Sequence, residues 1–407
     1  MTMSPGVLLV ATMDTKGKEA LYLEKCLKEA GVEVFILDAG IMGEGSCTAV
    51  VSREQVARAA GRELQEVQAA GHEGMALQVM IEGAVRCAQG LYSEGKILGI
   101  MGVGGSMGTA LGTSVMRSFP IGLPKVMVSS VASRDTRHFV GTKDIVMLHS
   151  VCDISGLNRV TMEVLRNGAL ALAGMVKGGQ RKFVSERPLA VVSAMGTCEP
   201  CAARVRAGLE AQGYEPVVFH TTGIGGQAME EMLLNDGVSA VADLSLHELI
   251  CYLFGGDNDA GPDRGKAALQ REIPVVLVPG GFDFLVTGPV QQAEARYPGR
   301  RYHIHNPAIT CVRADIKEIE SAAHVLASLC NKAKGPSTIL VPSKGLSSFD
   351  KEGGPLHDPQ APSLLAEMLK NELRKGYPLK LLPFHINDPE FADAVIENLR
   401  SLTTDGS

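Results

Sequence analysis

The sequence predicts an α/β protein of two Rossmann-like domains with mainly parallel sheets, related by an internal duplication. Short apolar runs recur along the chain, each ending in glycine or polar residues and followed by residues at helical spacing, which is the pattern of βαβ units. The chain also repeats itself. Laying Val7-Leu8-Leu9-Val10-Ala11-Thr12-Met13 on Leu189-Ala190-Val191-Val192-Ser193-Ala194-Met195 brings Thr15 onto Thr197, Gly31 onto Gly213 and residues 34–37 onto 216–219 without a gap. A register held over about 30 residues marks two similar halves, each opening with strand, helix and strand. At 407 residues the chain exceeds what one core holds, so two domains of roughly 150 to 200 residues are expected. We place them at 1–180 and 187–407, joined through the polar stretch 177–187.

Composition sets the surroundings. Apolar residues make up 45% of the chain and charged residues 21%, with a formal net charge of −6 and no run of lysine or arginine. Neither global nor local charge attracts nucleic acid. The apolar stretch 7–11 is too short to span a membrane and runs into Asp14, so it reads as a buried first strand. Nine cysteines without a secretion signal point to reduced thiols and a cytoplasmic location.

Each element follows in order. Residues 53–70 place Val56, Ala60, Leu64 and Val67 on one helical face. Residues 97–101 form an apolar strand that leads into Gly102-Val103-Gly104-Gly105-Ser106-Met107-Gly108-Thr109. Strands are predicted at 125–130 and 145–149, and a helix over 158–176. In the second half a strand at 217–220 precedes the turn Thr221-Thr222-Gly223-Ile224-Gly225-Gly226 and a helix over 227–234. Further strands fall at 239–242, 275–278 and 338–341. Ligands of open parallel sheets sit beyond the carboxyl ends of the strands, so the polar loops there carry the candidate chemistry.

The glycine-rich segment 102–109 has two readings, a phosphate cradle or a tight turn. Glycines let backbone N–H groups approach an anion, and a following helix N-terminus adds about half a positive charge. It is not a Walker A loop, because Gly108 is followed by Thr109 and Ala110, and it is not a dinucleotide fingerprint, because Met107 stands where a glycine is needed. The turn 221–226 repeats its Gly-x-Gly-Gly spacing. Asp14 and Thr15 are good N-caps, while Lys16 is placed to contact a nucleotide. Cys198-Glu199-Pro200-Cys201 has redox spacing at a helix start, although Glu199 opposes thiolate formation. His303-Ile304-His305 puts two imidazoles on one face of an extended segment, and a metal site would still need a third ligand. His305 is a candidate general acid or base, oriented by Asp283 or Asp350. The loop 129–138 is dense in hydroxyls and charge and reads as solvated, while Asp144, Asp153 and Asn158 read as turn formers and caps.

Taken together, Asp14-Thr15-Lys16-Gly17, the segment 102–109, Val140-Gly141 with Asp144, residues 153–159, Thr222-Gly223-Ile224-Gly225-Gly226, His305-Asn306-Pro307, residues 345–350 and His385-Ile386-Asn387-Asp388 resemble the ATP-binding family named after the plant tobamovirus-resistance protein. The resemblance spans about residues 5 to 400. It implies two α/β subdomains, ATP in the first, and a homodimer. It also implies nucleotide contacts from Asp14, Thr15 and Lys16 and from Gly104, Gly105, Ser106, Gly108 and Thr109.

Two functions follow as expectations. The first is an enzyme that binds ATP with Mg²⁺ in the first domain and a small anionic substrate between the two domains, held by Thr222, Gly223, Gly225, Gly226, Asn306 and Ser347, with His305, Asp350 and Asp283 as catalytic groups. Phosphoryl transfer asks mainly for positioning and charge neutralisation. The second is a nucleotide-binding regulator without turnover.

Overall fold

The computed structural model describes residues 4–43, 49–179, 185–235 and 237–404. The chain divides into two compact units, Met1–Phe183 and Val184–Ser407. Part of the expected boundary stretch, residues 180–184, lies outside the described residues. No helix among the described residues is long and apolar enough to cross a membrane.

The first unit runs β1 (Gly6–Ala11), α1 (Met13–Glu29), β2 (Val34–Asp38), α2 (Arg53–Ala59), α3 (Leu64–Gln68), α4 (Glu73–Ser93), β3 (Ile97–Gly104), α5 (Ser106–Arg117), β4 (Lys125–Ser129), α6 (Arg137–Val140), β5 (Val146–His149) and α7 (Arg159–Lys177). Its strands pair in parallel in the order β2-β1-β3-β4-β5. Strand periodicity sends alternate residues to opposite faces. Leu8 and Val10 therefore join one core cluster while Val7, Leu9 and Ala11 join another. Helices cover both faces, which is why the buried strands read as continuous apolar runs. Each fully buried Leu or Val contributes about 1.5 to 3 kcal/mol.

Two expectations change here. Residues 53–70 do not form one helix: α2 stops at Ala59, the chain turns at Gly61 with φ +77°, and Glu63 opens α3 with a capping box. The glycine segment is also divided between strand and helix, since β3 continues to Gly104 and α5 begins at Ser106, leaving only Gly105 between them.

The second unit runs β6 (Leu189–Ala194), α8 (Glu199–Ala211), β7 (Glu215–His220), α9 (Ile224–Asn235), β8 (Val238–Ser245), α10 (His247–Phe254), α11 (Lys266–Leu269), β9 (Val275–Gly280), β10 (Phe284–Thr287), α12 (Val290–Arg296), β11 (Tyr302–Asn306), β12 (Ile309–Arg313), α13 (Ile316–Cys330), β13 (Ser337–Pro342), α14 (Ala361–Glu372), β14 (Leu379–Leu382) and α15 (Pro389–Thr404). Its parallel sheet has the order β14-β13-β9-β8-β6-β7, and a separate antiparallel sheet has the order β10-β12-β11. The order β7-β6-β8-β9 repeats β2-β1-β3-β4 of the first unit, so the repeated sequence register folds into the same connectivity. Both units are Rossmann-like α/β folds.

Candidate functional site

In the first unit the chain leaves interior strand β1 for β2 on one side and returns to β3 on the other. The two connections diverge there, and the crevice beyond the carboxyl ends of β1 and β3 is where doubly wound sheets hold ligands. A cleft of about 640 Å³ opens at that point, within the usual range for small-molecule sites. Thr12, Asp14, Thr15 and Lys16 enter it after β1, and residues 104–108 after β3. Ala39, Ile41 and Met42 after β2, with Val67, Ala76 and Leu77 of α3 and α4, supply an apolar wall.

The start of α5 is built to leave its N–H groups open. Its N-cap is Gly105, no side chain caps it, and its first turn carries no acidic residue. The glycines around it differ in role. A Cβ on Gly104 would lie 2.8 Å from the Gly108 Cα, and one on Gly108 would lie 3.1 Å from the Val103 carbonyl oxygen. These two let the helix pack against the strand that feeds it. A Cβ on Gly105 would meet only Ser130 Oγ at 3.7 Å, and the residue has φ −78°. Neither packing nor backbone conformation demands glycine at 105. Ser106 is exposed at the rim. Thr109, expected as a nucleotide contact, is fully buried and shares a 2.6 Å hydrogen bond with Ser129 Oγ beneath the loop, which corrects that assignment.

Asp14 ties the β1 loop to the β2 loop. Its Oδ2 accepts from the N–H of Ile41 at 3.0 Å and of Met42 at 2.9 Å, while its buried Oδ1 has no partner. Asp38 is buried at the end of β2, and its Oδ1 accepts from Met13 N–H and Gly40 N–H. Arg53 donates to the carbonyls of Met42 and Gly43, and Gln68 to that of Ile41, so the wall is pinned from behind. Thr12 and Thr15 share a hydroxyl hydrogen bond of 2.9 Å. Lys16 lies at a kink in α1, with φ −123° and ψ 20°, and its ammonium donates to the Ile154 carbonyl. That partner is uncharged, and an ammonium has three donors.

The second unit treats its glycine turn differently. Gly223 and Gly226 donate their N–H groups to Glu248 Oε1 at 2.7 and 2.9 Å. The chain's own carboxylate thus occupies the start of α9, and the reading of this turn as a substrate cradle is corrected. Glu248 is fully buried, and its other oxygen accepts from Arg264 Nε at 2.7 Å. Arg264 also forks onto both oxygens of Asp243 at 2.7 Å. Burial raises the Glu248 carboxyl while the Arg264 charge opposes it. A Cβ on Gly225 would lie 1.7 Å from the His220 carbonyl oxygen, so packing accounts for that glycine. Thr222 is exposed with a 3.5 Å contact to the same carbonyl.

The expected catalytic groups do not converge. Asp283 and Asp350 are fully buried. Ser347 Oγ donates to Asp283 Oδ2 at 2.6 Å, and Asp350 accepts from Arg313, Asp358 N–H and Leu346 N–H. His305 stands exposed on β11, its ring 6.5 Å from that of His303, and bonds to neither carboxylate. His303 packs on Phe349 instead. Asn306 spends its Oδ1 on Ala308 N–H in the β11–β12 turn. No cluster of three metal-ligating side chains occurs among the described residues. Cys198 and Cys201 are buried free thiols, and desolvation pushes Cys198 up to about 12 and Cys201 higher still, which removes the redox reading.

Residues 5–181 match the N-terminal domain, and residues 187–403 the C-terminal domain, of the uncharacterised protein family UPF0261. The chain belongs to this family. A UPF0261 protein of Clostridium tetani is 34% identical over 398 residues, covering 98% of each chain. One from Rhizobium meliloti is 33% identical and covers 97% of this chain and 98% of its own. The ToMV resistance protein Tm-1(GCR237) of Solanum lycopersicum is 32% identical over 422 residues, covering 98% of this chain but 56% of the tomato protein. The whole cleft of this UPF0261 member falls inside the N-terminal family segment.

Proposed function

We propose that this UPF0261 chain binds ATP in the cleft of its first unit, with the phosphates on the open N–H groups of residues 105–108 and the base against Ile41, Met42 and Val67. Gly105 carries the reading: a glycine that the protein's own packing does not require, at an uncapped helix start, fits an anion that must approach the backbone. Ser106 adds a hydroxyl. Mg²⁺ would arrive on the triphosphate, since it needs only one or two protein oxygens besides phosphate and water. The burial of Asp283 and Asp350 and the separate position of His305 favour a nucleotide-binding role over phosphoryl transfer to an anionic substrate in the second unit. Homodimer formation, implied by the family resemblance, stands as a further expectation for sedimentation velocity.

Calorimetry with ATP and Mg²⁺ tests the reading. Gly105→Val should weaken binding by about tenfold or more, because its methyl groups enter the phosphate space, while thermal unfolding stays close to wild type. Unchanged affinity removes α5 from the site.

A further inference from the structure

The parallel sheet of the second unit ends at β14, whose one neighbour among the described strands is β13. Ile339 N–H donates to the Pro378 carbonyl at 3.0 Å, and Ser343 N–H to that of Leu382 at 2.9 Å. In a parallel ladder the N–H and C=O of one residue point to the same neighbour, and successive residues alternate sides. Residues 378, 380 and 382 therefore serve β13, while the backbone groups of Leu379 and Leu381 point to the open edge. The side chains divide as well. Lys380 reaches Asn398 of α15 at 2.6 Å, so Leu379 and Leu381 take the opposite face of the strand, toward α14.

Beside that edge runs a groove of about 730 Å³, bounded by α14, the loop after it and β14. Ala366, Leu373, Leu379 and Leu381 give it an apolar floor, and Leu381 keeps 46% of its surface exposed. An open strand edge is commonly guarded by a charge, but here the one lysine of the strand is turned to α15. Charge gathers on the rim instead. Lys370, Arg374 and Lys375 line the groove against the single carboxylate of Glu367, in a chain whose formal net charge is −6. Arg374 lies over the Tyr377 ring, which leaves the two lysines. Lys370 complements the dipole at the end of α14, whereas Lys375 lies past the helix end. Neither lysine has an ion-pair partner among the described residues.

We propose that the groove between α14 and β14 takes an extended acidic segment of a partner protein, which adds a strand to the open edge at Leu379 and Leu381. Main-chain hydrogen bonds hold such a segment, and its alternate side chains set the selectivity. Here the apolar side chains lie on the floor and the carboxylates meet Lys370 and Lys375 at the rim. This site lies in the second unit and is independent of the nucleotide reading.

Fluorescence anisotropy of the full chain tests it with two labelled peptides, three valines flanked on each side by two glutamates, and the same core flanked by lysines. Wild type should bind the acidic peptide saturably and at least about fivefold more tightly than the basic one. Lys370→Gln with Lys375→Gln should remove that preference. Leu381→Pro deletes only an edge-facing N–H and should abolish binding. Where Leu381→Pro does not fold, hydrogen exchange in wild type decides, since bound acidic peptide should slow the amides of Leu379 and Leu381. Absence of saturable binding, equal affinity for both peptides, or unchanged exchange at β14 overturns the proposal. A dimer that the acidic peptide dissociates would assign the groove to a second copy of the chain and overturn it too.

Discussion

Asp283 shows how burial changes what one carboxyl does. It sits between β9 and β10 with no exposed surface, one oxygen bonded by Ser347 Oγ and the other without a partner. Desolvation, and next the charge of Asp350, raise it from 3.8 to about 7, against the opposing charge of Arg313. Between those values the folded chain holds a proton that the unfolded chain has released. Stability therefore falls as pH rises through that window, is unaffected by this group below it, and carries the full penalty above it. Asp283→Asn keeps an acceptor for Ser347 without the titration. It should be more stable than wild type at pH 8, on the order of 1 to 3 kcal/mol, with the advantage vanishing near pH 4. Urea unfolding at both pH values checks this, and a pH-independent difference refutes it. Sequence marks Asp283 as a polar residue after an apolar strand, and that much is correct. It cannot show that Ser347, more than sixty positions away in the chain, takes the carboxylate that His305 was expected to use. Asp14, which the sequence reads as an N-cap, stands instead inside the first turn of α1, whose N-cap is Thr12, and lines the cleft just after β1.

At the scale of elements, the two glycine turns have nearly the same spelling and different fates. In α5 no side chain caps the first turn, whose residues line the cleft. In α9 those of Gly223 and Gly226 are closed by Glu248, which Arg264 holds in place. The deciding residues lie outside both turns, in α10 and before α11, so glycine spacing cannot distinguish an open helix start from a filled one. Glu248→Ala would leave Arg264 buried beside fewer carboxylates and two helix donors unmatched. Removing one partner of a buried pair costs about 3 to 5 kcal/mol, and denaturant unfolding of the second unit should lose that much. A loss below about 1 kcal/mol would show that the carboxylate is dispensable to α9. The strands were the most readable elements, because both faces are covered and the apolar runs are continuous. Residues 53–70 misled because Val56, Ala60, Leu64 and Val67 keep helical spacing across a break at Gly61. The helix α4, which supplies Ala76 and Leu77 to the cleft wall, has no counterpart in that reading. Its signal was Gly71 followed by His72, whose ring accepts from Gly74 N–H as an N-cap.

For the whole molecule, the repeated connectivity gives two units, each with its own pair of core clusters on the two faces of its sheet. Every residue of the cleft belongs to the first. A ligand stabilises only the cooperative unit whose folded form creates its site, by about 2.7 kcal/mol at a hundredfold excess over Kd. Hydrogen exchange read by mass spectrometry should therefore show slower opening of β1, β3 and α5 when ATP is added, with the slowest-exchanging amides of β6, β8 and β9 unchanged. Gly105→Val should erase the gain in the first unit and leave the second as it was. Equal gains in both units would mean that they unfold as one cooperative body, in which case the Glu248→Ala loss would also spread to the amides of β1 and β3.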